Sequence, residues 1–151
     1  MKKYFLYIAL ILGGAVIGSI VTSTFILGER LSNYLEIIQA NYMAELGECV
    51  YKVYHVGDFE SSVVALNDYS DKLKFHENNY KNGILSYDII TNLGMTHGRL
   101  FLLYDSKGKK DLAEQEYQKA VSFIGDRWHI TSRNQLKEII LRFDSRLNKN
   151  K

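Results

Sequence analysis

Proline is absent from the 151 residues, and cysteine and tryptophan occur once each. Proline breaks helix interiors and stiffens turns, so its absence predicts long helices with few rigid connections. The single thiol, Cys49, excludes an intrachain disulfide. Cys49 falls in an apolar helical stretch, where it reads either as a small buried hydrophobe or as one half of an intermolecular disulfide across a dimer. A surplus of positive charge is missing too. Once Lys2 and Lys3 are set aside, the remaining basic side chains equal the 17 acidic ones. Phosphate backbones are bound by net positive charge, so nucleic acid is not expected as the main partner.

Recognisable chemistry is equally scarce. There is no phosphate-binding loop, nucleophile elbow or dinucleotide fingerprint. The four histidines, His55, His76, His97 and His129, never stand at ligand spacing with a second ligand type, so no metal is expected. Asp105, Asp111 and Glu114 read as turn and capping residues, not as an acid/base pair. No catalytic residue, cofactor or enzymatic activity is expected.

Against these absences stands one long uncharged run, YFLYIALILGGAVIGSIVTSTFIL, at residues 4–27. As a helix it would extend ~36 Å at about 1.5 Å per residue, enough to cross a hydrocarbon core of about 30 Å. The expectation is a single-pass transmembrane helix with the lipid bilayer as partner. Lys2 and Lys3 then place residues 1–3 in the cytoplasm and the C-terminal domain outside it, in the periplasm if the source is a Gram-negative bacterium. A cleaved signal peptide, with Val16 and Gly18 at the small positions before Ser19, is the rival reading. The run is longer than the usual apolar region of such peptides. Gly14, Gly18 and Thr22 form a small-residue face through which two such helices would pack as a homodimer.

Beyond the run, apolar residues recur at helical spacing. Leu31, Leu35, Ile38 and Tyr42 open a stripe continued by Leu46, Cys49 and Val53, predicting a helix that ends near Val56. This stripe is too short for a coiled coil on its own. Gly57 suits a left-handed stop and Asp58 a cap. A second helix carries Phe59, Val63, Leu66, Tyr69 and Leu73, and polar residues 75–79 read as a loop. A third runs from about Tyr80 to Tyr104. A fourth follows the turn at residues 106–110, with Asp111 and Glu114 at capping-box spacing, and stops at Gly125-Asp126. A fifth begins at Thr131 or Ser132, with Ser132 and Gln135 at the same spacing. The fold class is all-α, an N-terminal anchor followed by antiparallel helical hairpins.

Gly57 and Gly108 can be superposed at an offset that also pairs Gly47 with Gly98, Ser62 with Ala113 and Leu66 with Tyr117, which suggests two stacked helix–turn–helix units. The second unit, NLGMTHGRLFLLYDSKGKKDLAEQEYQKAV, resembles a tetratricopeptide repeat. Leu100, Tyr104, Gly108, Ala113, Tyr117 and Ala120 fall at that family's leucine, tyrosine, turn glycine, small alanine, aromatic and second alanine. The first unit matches loosely, and the offset exceeds the family's period of about 34 residues. The resemblance implies hairpins over residues 29–125, with residues 126–151 as a capping helix and basic tail. It also implies a partner-binding face of Tyr51, Tyr54, His55, Met95, Arg99, Leu102 and Asp105, which lacks the family's carboxylate-gripping lysines and asparagines. Tyrosine suits such a face because it buries area at low entropic loss, though packing between helices explains the same residues. The tail from Asp126 has seven basic side chains against three acidic ones, while residues 29–125 carry four more acidic than basic ones. The functional expectation is a membrane-anchored adaptor or scaffold that docks an unidentified protein. The alternatives are a structural or regulatory subunit of a membrane complex, and an envelope immunity protein.

Overall fold

The computed structural model describes residues 2–79 and 86–149, with side chains at 18, 21–24, 26–28, 30–32, 34–78 and 88–147. These residues form five helices, α1 (Lys2–Val56), α2 (Phe59–Asn79), α3 (Ser86–Ser106), α4 (Lys110–Trp128) and α5 (Arg133–Lys149), and no strand. The chain divides into two compact units, Met1–Asn41 and Tyr42–Lys151.

The membrane assignment is corrected here. Among the described residues no helix is long and apolar enough to cross a membrane. The apolar run belongs to α1, a single 55-residue helix. The described part of the run includes the hydroxyl side chains of Thr22, Ser23 and Thr24, and the membrane assignment does not stand. The single-pass topology, and the cytoplasmic and extracytoplasmic placements read from Lys2 and Lys3, fall with it. Gly14 lies outside the described side chains. A Cβ added at Gly18 would meet nothing, and the Thr22 hydroxyl donates back to the Gly18 carbonyl at 2.8 Å. The stripe residues Leu31, Leu35, Ile38 and Tyr42 are exposed, as is Cys49.

Several boundaries also move. Residues 75–79 are helical, the last turn of α2, and the Tyr80 start expected for the third helix lies outside the described residues. Gly57 has no left-handed backbone; among the described residues the positive φ values fall at Gly108 (φ 67) and His129 (φ 51). Glycine tolerates that conformation without a Cβ clash, so the α3–α4 turn closes at Gly108. Asp58 does cap α2, its Oδ1 accepting from the Ser61 amide at 2.7 Å. Asp111 forms no box, since α4 opens after Lys109 without a side-chain cap and runs through Gly125-Asp126 to Trp128. At α5 the Ser132 Oγ accepts from the Gln135 amide at 3.3 Å, while Gln135 Oε1 accepts from the Thr131 amide at 2.8 Å.

The second unit is organised around α3. Its residues Ile89, Leu93 and Leu100 join Met43, Val50, Leu66, Tyr69 and Leu73 in one core cluster. On its other side Met95 and Phe101 join Ala113, Ala120, Ile124, Leu136 and Ile140. Positions 93–98 are buried without interruption. Small residues bring the neighbours close. A Cβ at Gly94 would stand 2.5 Å from Ile124 Cγ2, and one at Gly98 would stand 2.6 Å from Ile140 Cδ1.

Ile124 is β-branched and stiff at χ1, so it cannot swing clear of a methyl at position 94. Gly94→Ala is therefore expected to lower stability by about 1–3 kcal/mol, even though alanine favours helix over glycine by nearly 1 kcal/mol. A urea midpoint that rises would contradict this close packing.

Candidate functional site

Two polar groups project from the buried helix α3, and each has recruited partners from its neighbours. Arg99 meets Asp144 of α5. Its Nη2 and Nε donate to Asp144 Oδ1 at 2.6 and 3.2 Å. The guanidinium lies over the Tyr51 ring at 5.2 Å and the Tyr54 ring at 5.8 Å, both on α1. Tyr51 donates its hydroxyl to the Asp144 carbonyl at 2.7 Å, and His55 Nε2 stands 4.0 Å from Asp144 Oδ2. That oxygen is buried and has no hydrogen-bond partner. Burial, and secondarily the Asp144 charge, pushes the Tyr54 phenol up to about 12, with Arg99 opposing. The same causes raise Tyr51. Both rings are therefore held neutral, and their contribution is complete below pH 10 and lost as pH rises through the folded values.

Beside this clasp opens a groove of about 470 Å³. It is lined by Ala44, Gly47, Glu48, Tyr51, Tyr69, Asn92, Arg99 and Leu147. Gly47 makes room for the Tyr69 hydroxyl, which would lie 2.7 Å from any Cβ there.

The second assembly surrounds His97, which is 2 % exposed. Its Nδ1 is 2.6 Å from Glu116 Oε2 and its Nε2 is 3.1 Å from Ser70 Oγ. Lys119 donates to the other Glu116 oxygen at 2.7 Å, and Phe123 stacks on the imidazole at 5.8 Å. Burial raises the Glu116 pKa, but hydrogen bonds from His97 and Lys119 outweigh it, leaving a net lowering. An ionised Glu116 requires the proton on Nδ1, so in the neutral ring Ser70 donates to Nε2.

The order serine, histidine, carboxylate is that of a hydrolytic relay. Here the serine is 1 % exposed and sits within α2, where the backbone N–H groups are spent on the helix and cannot stabilise an oxyanion. The arrangement ties α2, α3 and α4 together.

Of the residues singled out from the sequence, Tyr51, Tyr54, His55 and Arg99 come together around Asp144. Met95 is buried in the second core cluster and Leu102 packs against it. Asp105 is exposed and its carbonyl accepts from Gly108 in the turn. Sequence reasoning missed Asp144, Glu48, Tyr69 and Asn92 as site residues, and Ser70 and Glu116 as partners of His97. A signal existed. Ser70, His97, Glu116 and Asp144 each occupy a core position of an apolar stripe, as in Leu66-Ser70-Leu73, Leu93-His97-Leu100, Ala113-Glu116-Ala120 and Leu136-Ile140-Asp144. No protein-family model, curated protein or solved structure matches the chain.

Breaking a buried pair from one side costs far more than breaking an exposed one. Asp144→Ala leaves the largely buried Arg99 without its counter-ion and should lower stability by about 3–5 kcal/mol. Asp68→Ala, which frees the exposed Lys72, should cost less than about 1 kcal/mol. Denaturation curves of the two variants compare them directly. Because the folded pKa of Glu116 is lowered, its contribution is complete above the ordinary value of 4.5 and is lost as pH falls through the folded one. Glu116→Gln should flatten the acid limb of the stability–pH curve, and an unchanged limb would remove Glu116 from the account.

Proposed function

We propose that residues 42–151 form a protein-docking module whose groove receives a basic side chain from a partner polypeptide. The groove carries this reading. Tyr51, Tyr69 and Leu147 in its lining suit an aliphatic stem, and the exposed Glu48 suits the charged end. Arg99 does not repel such a ligand, because Asp144 already neutralises it. The tetratricopeptide resemblance agrees in chemistry, since the Gly108 turn and the buried Ala113 and Ala120 of the α3–α4 hairpin are what that family uses to pack helices that bind protein segments.

A photo-reactive amino acid at Asn92 is expected to crosslink to a polypeptide beside a lysine or arginine. The same group at the exposed Gln118 should not crosslink to it. Glu48→Lys should reduce the Asn92 adduct at least about tenfold, the equivalent of about 1.4 kcal/mol. Glu48 is exposed and its Lys52 ion pair lies on the surface, so this change leaves the fold intact. Equal adducts at both positions, or an adduct indifferent to Glu48→Lys, would contradict the proposal.

A further inference from the structure

Asp144 has one carboxylate oxygen that the folded chain leaves unanswered. Both guanidinium bonds from Arg99 go to Oδ1, at 2.6 and 3.2 Å, whereas Oδ2 is buried and accepts no hydrogen bond. A buried acceptor without a donor is unusual, because it loses hydration and gains nothing in return. One ring nitrogen stands close by. His55 Nε2 is 4.0 Å from Oδ2, just beyond hydrogen-bond reach. We propose that His55 is a proton-operated latch, which on acidification donates from Nε2 to Asp144 Oδ2 and ties the end of α1 to α5.

The helix supplies the placement. Tyr51 and His55 are four residues apart on α1 and share a face, and Tyr51 already donates its hydroxyl to the Asp144 carbonyl at 2.7 Å. His55 therefore faces the same residue of α5. The Tyr51 and Tyr54 rings meet the imidazole edge to face at 4.3 and 5.0 Å. The His55 side chain stays 33 % exposed, so a proton reaches it from solvent without unfolding.

Protonation is what closes the gap. A neutral imidazole carries a single N–H, on either nitrogen, whereas imidazolium carries one on each. Its bond to a carboxylate is charge-assisted, shorter and roughly twice as strong as a neutral one. Histidine is the side chain that ordinarily gains charge between pH 8 and pH 5. The titratable and charged groups around His55 are Tyr51 and Tyr54 on its own helix, Arg99 on α3 and Asp144 on α5. Among the described residues no charged side chain of α2 or α4 pairs with it. Arg99 opposes a second cation, but it occupies Oδ1 and leaves Oδ2 to His55. The last turn of α1, where His55 lies, also attracts a cation through the helix dipole, and that attraction needs no bond to Asp144. The latch joins two elements that line the groove, α1 through Tyr51 and α5 through Leu147, and it does not depend on what the groove binds.

Urea denaturation of the full chain and of His55→Gln from pH 8 to pH 5 reads the latch, since glutamine stays neutral throughout. The bond favours the protonated ring in the folded state, so its contribution is complete at the acidic end and is lost as pH rises. The ratio of wild-type to variant folding constants is expected to rise about tenfold between pH 8 and pH 5. Nitrogen-15 imidazole NMR of the wild type separates the bond from the helix-end attraction. At pH 5 the Nε2 proton of His55 should be protected from exchange and the Nδ1 proton should not, because Nε2 is the nitrogen that faces Asp144. A ratio that does not rise would overturn the proposal. So would a rise in which both ring protons exchange alike, which would assign the effect to the helix end.

Discussion

The helix α3 is enclosed along most of its length and carries two large polar side chains whose hydration is lost on burial. His97 and Arg99 stand two residues apart and therefore point to different sides of the helix. Unpartnered, a buried imidazole or guanidinium would forfeit several kcal/mol of hydration. The four elements around α3 answer that demand. Ser70 from α2 and Glu116 from α4 meet His97, while Asp144 from α5 and the tyrosines of α1 meet Arg99. The apolar clusters on either side set how tightly the helices pack, and these polar contacts set which neighbour each side of α3 accepts. Buried polar contacts satisfied in this way favour one arrangement over near-equivalents of similar hydrophobicity.

The groove follows from the same constraint. Because Asp144 pairs with Arg99 beside the rings of Tyr51 and Tyr54, Arg99 adds no net charge to the groove lining, which leaves Glu48 as its exposed acidic group. Bulk is kept out by Gly47.

Helical periodicity made most of the elements legible, because stripes such as Leu66-Tyr69-Leu73 and Leu136-Ile140-Phe143 repeat at the helical spacing. It did not reveal what each stripe would face. Leu31, Leu35 and Ile38 have the same pattern as core residues and are exposed. Turn residues misled where a helix can absorb them: Gly125-Asp126 lies within α4, where Gly125 is buried and so packs instead of ending the helix. The membrane reading counted missing charge over residues 4–27, a property of composition, and the helix containing them does not meet the requirement of length and apolarity among its described residues. Tyr51, Tyr54 and Arg99 were visible because they sat at positions of a resembled hairpin. Asp144, distant in sequence and outside that hairpin, was visible only as a carboxylate on an apolar stripe, and its partner depends on a tertiary contact that periodicity does not specify.

The central claim is that α3 is the element on which the second unit depends. Native-state hydrogen exchange tests it most directly. The amides from Met95 to Phe101 should be the slowest to exchange, opening only with global unfolding and losing protection in parallel with it as denaturant is added. If those amides exchange through a local opening while α2 and α5 stay protected, α3 is not the hub and the account fails.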